Sequence, residues 1–129
     1  MYTQDKVLEG IPIAQSEQFY LIETGKTWLI RRYIQKFRLS AKAQILLLKK
    51  SKSRLFKEYV MRYDIAPIAQ VKMVELRNIN LFKIFVENNK LSLPAQKKLL
   101  EPCYADMLKE YTKYHALHPS VLRNQKNVK

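Results

Sequence analysis

The chain has 129 residues, of which 47% are hydrophobic, and its 24 Lys and Arg against 11 Asp and Glu give a formal net charge of +13. This length is typical of one domain, and no apolar run approaches the ~18–20 residues that would cross a bilayer. The N-terminal residues also lack the order of a signal peptide, so we expect a cytoplasmic protein without membrane attachment.

A 26-residue interval divides most of the chain into four copies, residues 13–38, 39–64, 65–90 and 91–116, which we call repeats, with positions numbered 1 to 26 in each. Position 6 is glutamine in every repeat: Gln18, Gln44, Gln70 and Gln96. Position 21 is aromatic in every repeat: Tyr33, Tyr59, Phe85 and Tyr111. Periods of 20 to 50 residues are typical of stacked units that complete one another's core.

Residues 1–12 are predicted to be the second helix of a preceding partial repeat. Within each complete repeat, positions 5, 6, 9 and 10 fall on one face of a predicted first helix, and positions 17, 18, 21, 22 and 25 fall on one face of a predicted second helix. Ser40 and Ser92 occupy N-cap positions, while Pro67 and Pro94 fall in first turns. Residues 117–129 are predicted to begin the first helix of a fifth repeat.

The pattern L-x-x-x-A-Q-x-x-L-L, a short turn and then L-F-x-x-Y-V resembles the short two-helix repeats of bacterial α-solenoids, broadly similar to HEAT-like arrays. The resemblance covers residues 13 to about 122. It implies an all-α fold, a right-handed α-solenoid of four 26-residue helical hairpins with partial repeats at both ends. The whole chain, residues 1–129, would form a single repeat domain.

The recurring polar and aromatic residues are predicted to serve the fold. A buried amide without hydrogen bonds costs about 1–3 kcal/mol, so the four glutamines should bond backbone groups at the junctions between repeats, or one another. The aromatic residues of position 21 share the buried register and are predicted to be core. Trp28, Tyr104 and Tyr114 lie near repeat boundaries, where exposure is expected.

Basic residues also recur in register. Position 19 is Arg31, Lys57, Lys83 and Lys109, and 100° stepping directs it toward solvent. Arg32 extends this row, and a second cluster at one turn contains Lys49, Lys50, Lys52 and Arg54. Such cations attract polyanions. The alternatives are a solvated turn, a compositional bias toward lysine, and partial neutralisation by i, i+4 pairs of Lys83 with Glu87 and of Glu58 with Arg54 and Arg62.

Residues for catalysis are not apparent. Two glycines cannot build a phosphate-binding loop, and His115 with His118 lacks a third metal ligand. Cys103 is the only cysteine, which excludes an intrachain disulfide. We therefore expect no metal, cofactor or small-molecule substrate and no enzymatic activity. The sequence favours a binding module for nucleic acid; the alternative is a protein-interaction adaptor or small inhibitor for an acidic protein partner.

Overall fold

The computed structural model describes residues 2–50 and 52–122. This part of the chain is helical and contains no strand, which confirms the all-α prediction. Residues 1–65 and residues 66–129 form two compact halves, which we call the N-terminal half and the C-terminal half.

The N-terminal half contains five helices: α1 (Thr3–Leu8), α2 (Gln15–Thr24), α3 (Thr27–Ile34), α4 (Ala41–Lys49) and α5 (Ser53–Val60). Helix α1 is the second helix predicted for residues 1–12. Helix α3 contacts both α1 and α5, and α2 contacts α4. First helices therefore pack against first helices here, and second helices against second helices.

The described part of the C-terminal half repeats this pairing. It contains α6 (Pro67–Leu76), α7 (Ile79–Val86), α8 (Leu93–Leu99), a 3-10 turn (Pro102–Tyr104) and α9 (Ala105–Thr112). Helix α6 contacts α8, and α7 contacts α9. A further helical turn covers 119–122, where the fifth repeat was predicted to begin, and the remaining 123–129 lie outside the described residues.

Repeat positions 9, 17 and 21 form the core in every repeat. Positions 10, 18 and 22 are also buried in the first three repeats, but Leu100 and Leu108 of the fourth are half-buried and Thr112 is exposed. Thr112 is the one polar residue at position 22, and its exposure means that no polar side chain is buried there. The aromatic prediction for position 21 is confirmed: Tyr33, Tyr59, Phe85 and Tyr111 are all at most 2% exposed.

The glutamines and tyrosines hold the buried residue with which a repeat begins. In the first repeat, the N–H of Ile13 donates to the hydroxyl of Tyr33 at 3.2 Å, and the carbonyl of Ile13 accepts from Nε2 of Gln18 at 3.3 Å. The same two bonds hold Leu39 through Tyr59 and Gln44, and Leu91 through Tyr111 and Gln96. A buried backbone group needs such a hydrogen-bond partner. Burial also raises the pKa of the Tyr59 and Tyr111 hydroxyls, so both stay protonated and can take part in these bonds.

The other end of the glutamine amide binds the following repeat. Oε1 of Gln18 accepts from the N–H of Ser40 at 2.8 Å. Gln70 accepts in the same way from Ser92, and Gln96 from His118. The predicted bonds to backbone groups at repeat junctions are therefore confirmed, and each of these amides joins two successive repeats.

Two helix starts that look alike in sequence differ in structure. The Oγ of Ser40 accepts from the N–H of Ala43 at 3.2 Å, which confirms the predicted N-cap of α4. Ser92 occupies the N-cap position of α8, but its side chain makes no capping bond. Its Oγ is buried and has no hydrogen-bond partner within the described residues.

Candidate polyanion-binding surface

The basic residues of position 19 lie on the outer side of the second helices. Lys57, Lys83 and Lys109 are exposed, as predicted. Arg31 is half-buried, and its Nε lies 2.7 and 2.9 Å from the two carboxylate oxygens of Glu58. Arg31 therefore differs from the other three, because part of its charge is neutralised within the protein.

This ion pair corrects the predicted i, i+4 pairing of Glu58 with Arg54 and Arg62. Glu58 lies on α5 and accepts from α3, one repeat earlier. The side chains of Arg54 and Lys57 make no ion pair or hydrogen bond within the part of the chain that the structure describes, and both residues are exposed. They are the cations of α5 that remain available to an external anion.

Two further arginines bind the carboxyl ends of neighbouring second helices. Nη2 of Arg32 donates to the carbonyl of Leu8, the last residue of α1, at 3.2 Å. Nη1 of Arg62 donates to the carbonyl of Gln35, the C-cap residue of α3, at 3.2 Å. Cations at helix C-termini are stabilising because the terminal carbonyls carry partial negative charge. Both side chains stay exposed, so these arginines have a structural role and still contribute surface charge.

The basic residues predicted at the turn between α4 and α5 do not form one cluster of unpaired cations. Nζ of Lys50 lies 2.7 Å from Glu23, so this cation is paired. Lys49 is exposed on α4, Arg54 is exposed on α5, and Lys52 is half-buried at the N-cap of α5. Ser51 lies outside the described residues. The four predicted binding residues thus divide between the first-helix and second-helix surfaces.

We call the surface formed by α3, α5 and the two residues that follow each of these helices the basic face. Its cations are Arg31, Arg32, Lys36, Arg54, Lys57 and Arg62, and its one carboxylate is Glu58. Helices in contact lie about 8–10 Å apart, so these charges are close enough to act on one chain of phosphates.

The corresponding surface of the C-terminal half has mixed charge. Lys83 and Lys109 are exposed, but Glu87 lies one turn from Lys83. Asp106 lies 3.7 Å from Arg77, and Glu110 lies 3.1 Å from Lys113. Residues 66–122 contain eight Lys and Arg against five Asp and Glu, whereas residues 1–65 contain thirteen against six. Among the residues that the structure describes, the net charge is therefore +7 for the N-terminal half and +3 for residues 66–122, while residues 123–129 carry three further cations.

The structure shows a second surface feature, a groove, which the sequence pattern did not predict. Phe19, Ile45 and Leu46 line a groove of about 360 Å³ between α2 and α4, together with Glu23, Lys42 and Lys49. Positions 7 and 8 lie between the predicted core positions of the first helix, and the apolar residues there in the first two repeats were the available indication of this groove.

Within the described residues, no group of three or more His, Cys, Asp and Glu could hold a metal ion. Nε2 of His115 lies 2.6 Å from the carbonyl of Val86, and Nδ1 of His118 lies 2.8 Å from Oγ of Ser120. Both imidazoles thus serve local structure, and Cys103 is an exposed thiol.

Comparisons with protein-family models, with curated proteins and with solved structures found no match to this chain. Within the described residues, no helix has both the length and the apolar character needed to traverse a lipid bilayer.

Proposed function

We propose that this protein is a non-enzymatic helical-repeat module that binds a polyanion, most plausibly nucleic acid, through the basic face. The repeats would stack as a right-handed α-solenoid, like the short HEAT-like arrays that the sequence resembles. The pairing of like helices within each half and the glutamine bonds between successive repeats support this arrangement.

The observation that carries the proposal is the charge of the basic face. Six cations share this surface with one carboxylate, and that carboxylate is already bound to Arg31. Arg54 and Lys57 are exposed beside it without partners among the described residues. Release of condensed counterions by such residues provides most of the affinity in sequence-independent binding of nucleic acid.

The test compares two double variants that change the net charge equally. Arg54→Glu with Lys57→Glu removes the two unpaired cations of α5 from the basic face, while Lys83→Glu with Lys109→Glu alters the mixed surface of the C-terminal half. Affinity for a labelled oligonucleotide is measured by fluorescence anisotropy between ~50 and ~200 mM salt, the range over which phosphate contacts weaken steeply.

We expect the first pair to lower affinity at least about tenfold and to reduce the salt slope by about 1.5, since each lost phosphate contact contributes roughly 0.7–0.9. The second pair should have a small effect on both quantities. Equal loss from both pairs would show that net charge alone governs binding, and no binding by the unmodified protein at low salt would refute the proposal.

A second candidate function is supported by the groove between α2 and α4. Its lining includes Phe19, Ile45 and Leu46, whereas nucleic-acid interfaces are more polar than protein–protein interfaces. Glu23 also lines the groove but is paired with Lys50, so Lys42 and Lys49 suit an acidic amphipathic segment, as expected for an adaptor or inhibitor of an acidic protein. Ile45→Glu should abolish capture of such a partner from nuclease-treated host extract, while Arg54→Glu with Lys57→Glu should leave the groove intact.

A further inference from the structure

Three exposed aromatic side chains surround a cleft beside the basic face. Tyr2, Tyr20 and Trp28 are 83%, 62% and 46% exposed, and all three line a cleft of about 490 Å³ that lies within the N-terminal half. This volume is within the range of roughly 300–1,000 Å³ typical of ligand sites. None of the ring–ring contacts found in the described residues includes these three rings, so their faces are available to a ligand.

Folding does not account for these three rings. Burial of apolar surface is worth about 25 cal/mol per Å², and the core of this half takes its aromatic residues from elsewhere, as with Tyr33, Phe56 and Tyr59. A cluster of exposed aromatic residues is therefore a better candidate for recognition than for stability. Polar groups complete the cleft, among them the ammonium of Lys26.

The cleft and the basic face are continuous on α3. Trp28 precedes Arg31 and Arg32 by three and four residues, a spacing that places side chains on the same side of a helix. On α5, which contacts α3, the residue equivalent to Trp28 is Arg54. Packed helices are about 8–10 Å apart, so the phosphates of one short strand can contact both helices.

We infer that the N-terminal half binds single-stranded nucleic acid, with bases stacked on Trp28 and Tyr20 in the cleft and the phosphates following the basic face. Exposed aromatic residues beside a positively charged track are the means by which proteins bind single strands without reading their sequence. In a duplex the bases are paired and stacked on one another, so their faces cannot reach the rings. This inference rests on the proposed function and specifies its ligand.

The experiment uses the full chain and four labelled ligands of equal length: oligo(dT), oligo(U), an abasic oligomer with the same number of phosphates, and a duplex. Trp28 is the only tryptophan, so its fluorescence reports directly on the cleft. We expect oligo(dT) to quench this fluorescence and to bind about tenfold more tightly than the abasic oligomer and the duplex. The ratio of oligo(dT) to oligo(U) affinity distinguishes a DNA ligand from an RNA ligand.

Tyr20→Ala and Trp28→Ala should each weaken binding of the base-containing single strands about tenfold, as expected for lost stacking, and should not change binding of the abasic oligomer. Tyr114→Ala is the matched control, because Tyr114 is 47% exposed, like Trp28, but lies in the C-terminal half. Circular dichroism verifies that each variant stays folded.

The outcomes separate this inference from the proposed function. Equal affinity for the oligo(dT), abasic and duplex ligands, without quenching, would overturn stacking while leaving polyanion binding in place. Tighter binding of the duplex than of the single strands would overturn it as well. Failure to bind any of the four ligands at low salt would refute both.

Discussion

Replacement of Gln18 by leucine tests whether the recurring glutamine is needed for folding. Gln18 is 7% exposed, and its amide binds the carbonyl of Ile13 at 3.3 Å and the N–H of Ser40 at 2.8 Å. Leucine has a similar size, so the variant removes both hydrogen bonds without opening a large cavity.

The expected loss follows from the two backbone groups that would be left without partners. Each unsatisfied buried group costs about 1–3 kcal/mol. Ser40 is half-buried, so solvent can recover part of its bond, and the leucine side chain adds about 1 kcal/mol of apolar burial. We therefore expect Gln18→Leu to lower the free energy of unfolding by about 2 kcal/mol, which corresponds to roughly 6–10 °C in Tm for a chain of this size.

Urea and thermal unfolding followed by circular dichroism provide the measurement. Gln15→Leu is the control, because Gln15 begins the same helix but is exposed. Gln96→Leu should behave like Gln18→Leu, since its amide makes the equivalent bonds at 2.9 and 2.8 Å. A loss below about 0.5 kcal/mol for both buried glutamines would refute the structural role and indicate that the amides serve a ligand.

Three further predictions concern helix ends and one ion pair. Ser40→Ala should cost about 1 kcal/mol through the lost cap, whereas Ser92→Ala should be neutral or stabilising because its buried hydroxyl has no partner within the described residues; equal losses in urea unfolding would contradict this difference. Gly25→Ala should lower Tm, because an added Cβ would collide with the carbonyl oxygen of Leu21, and an unchanged Tm would disprove this close approach. A hydrogen bond from Lys6 lowers the pKa of Glu17 below its ordinary value. The stabilisation from this pair is therefore present above the ordinary pKa of a glutamate and is lost as the pH falls through the lower pKa of the folded protein. Glu17→Gln should therefore lower Tm at pH 7, and the Tm of variant and parent should converge in acid; a gap that persists there would exclude the ion pair as its cause.

The helices and the core could be predicted because they follow from short-range periodicity. A 26-residue interval in register assigns each position to one environment, so the burial of Tyr33 or Gln18 follows from a pattern repeated four times. The junction bonds of the glutamines were also predictable, since a buried amide requires partners and the repeat boundary is where backbone groups lack them.

The details that the sequence did not predict depend on contacts between repeats. Glu58 binds Arg31 across 27 residues, whereas spacing along one helix pointed to Arg54 and Arg62. Tyr104 was expected at the surface, but it is 9% exposed. Neither outcome follows from helical stepping, because the nearest partner in space belongs to a helix whose position the sequence does not give.

The position that recurs as basic is therefore not the best guide to function. Position 19 keeps its charge in every repeat, yet Arg31 uses that charge inside the protein, and the equivalent residue on α1 is Asp5. Position 16 is exposed wherever it occurs and changes from Tyr2 to Trp28, Arg54, Asn80 and Asp106 along the chain. A residue that is needed for packing one repeat against the next should recur in every repeat. A residue that recognises a ligand is needed only where the ligand binds. The variable exposed positions of the N-terminal half, Trp28 and Arg54 first among them, are accordingly where we expect binding specificity to reside.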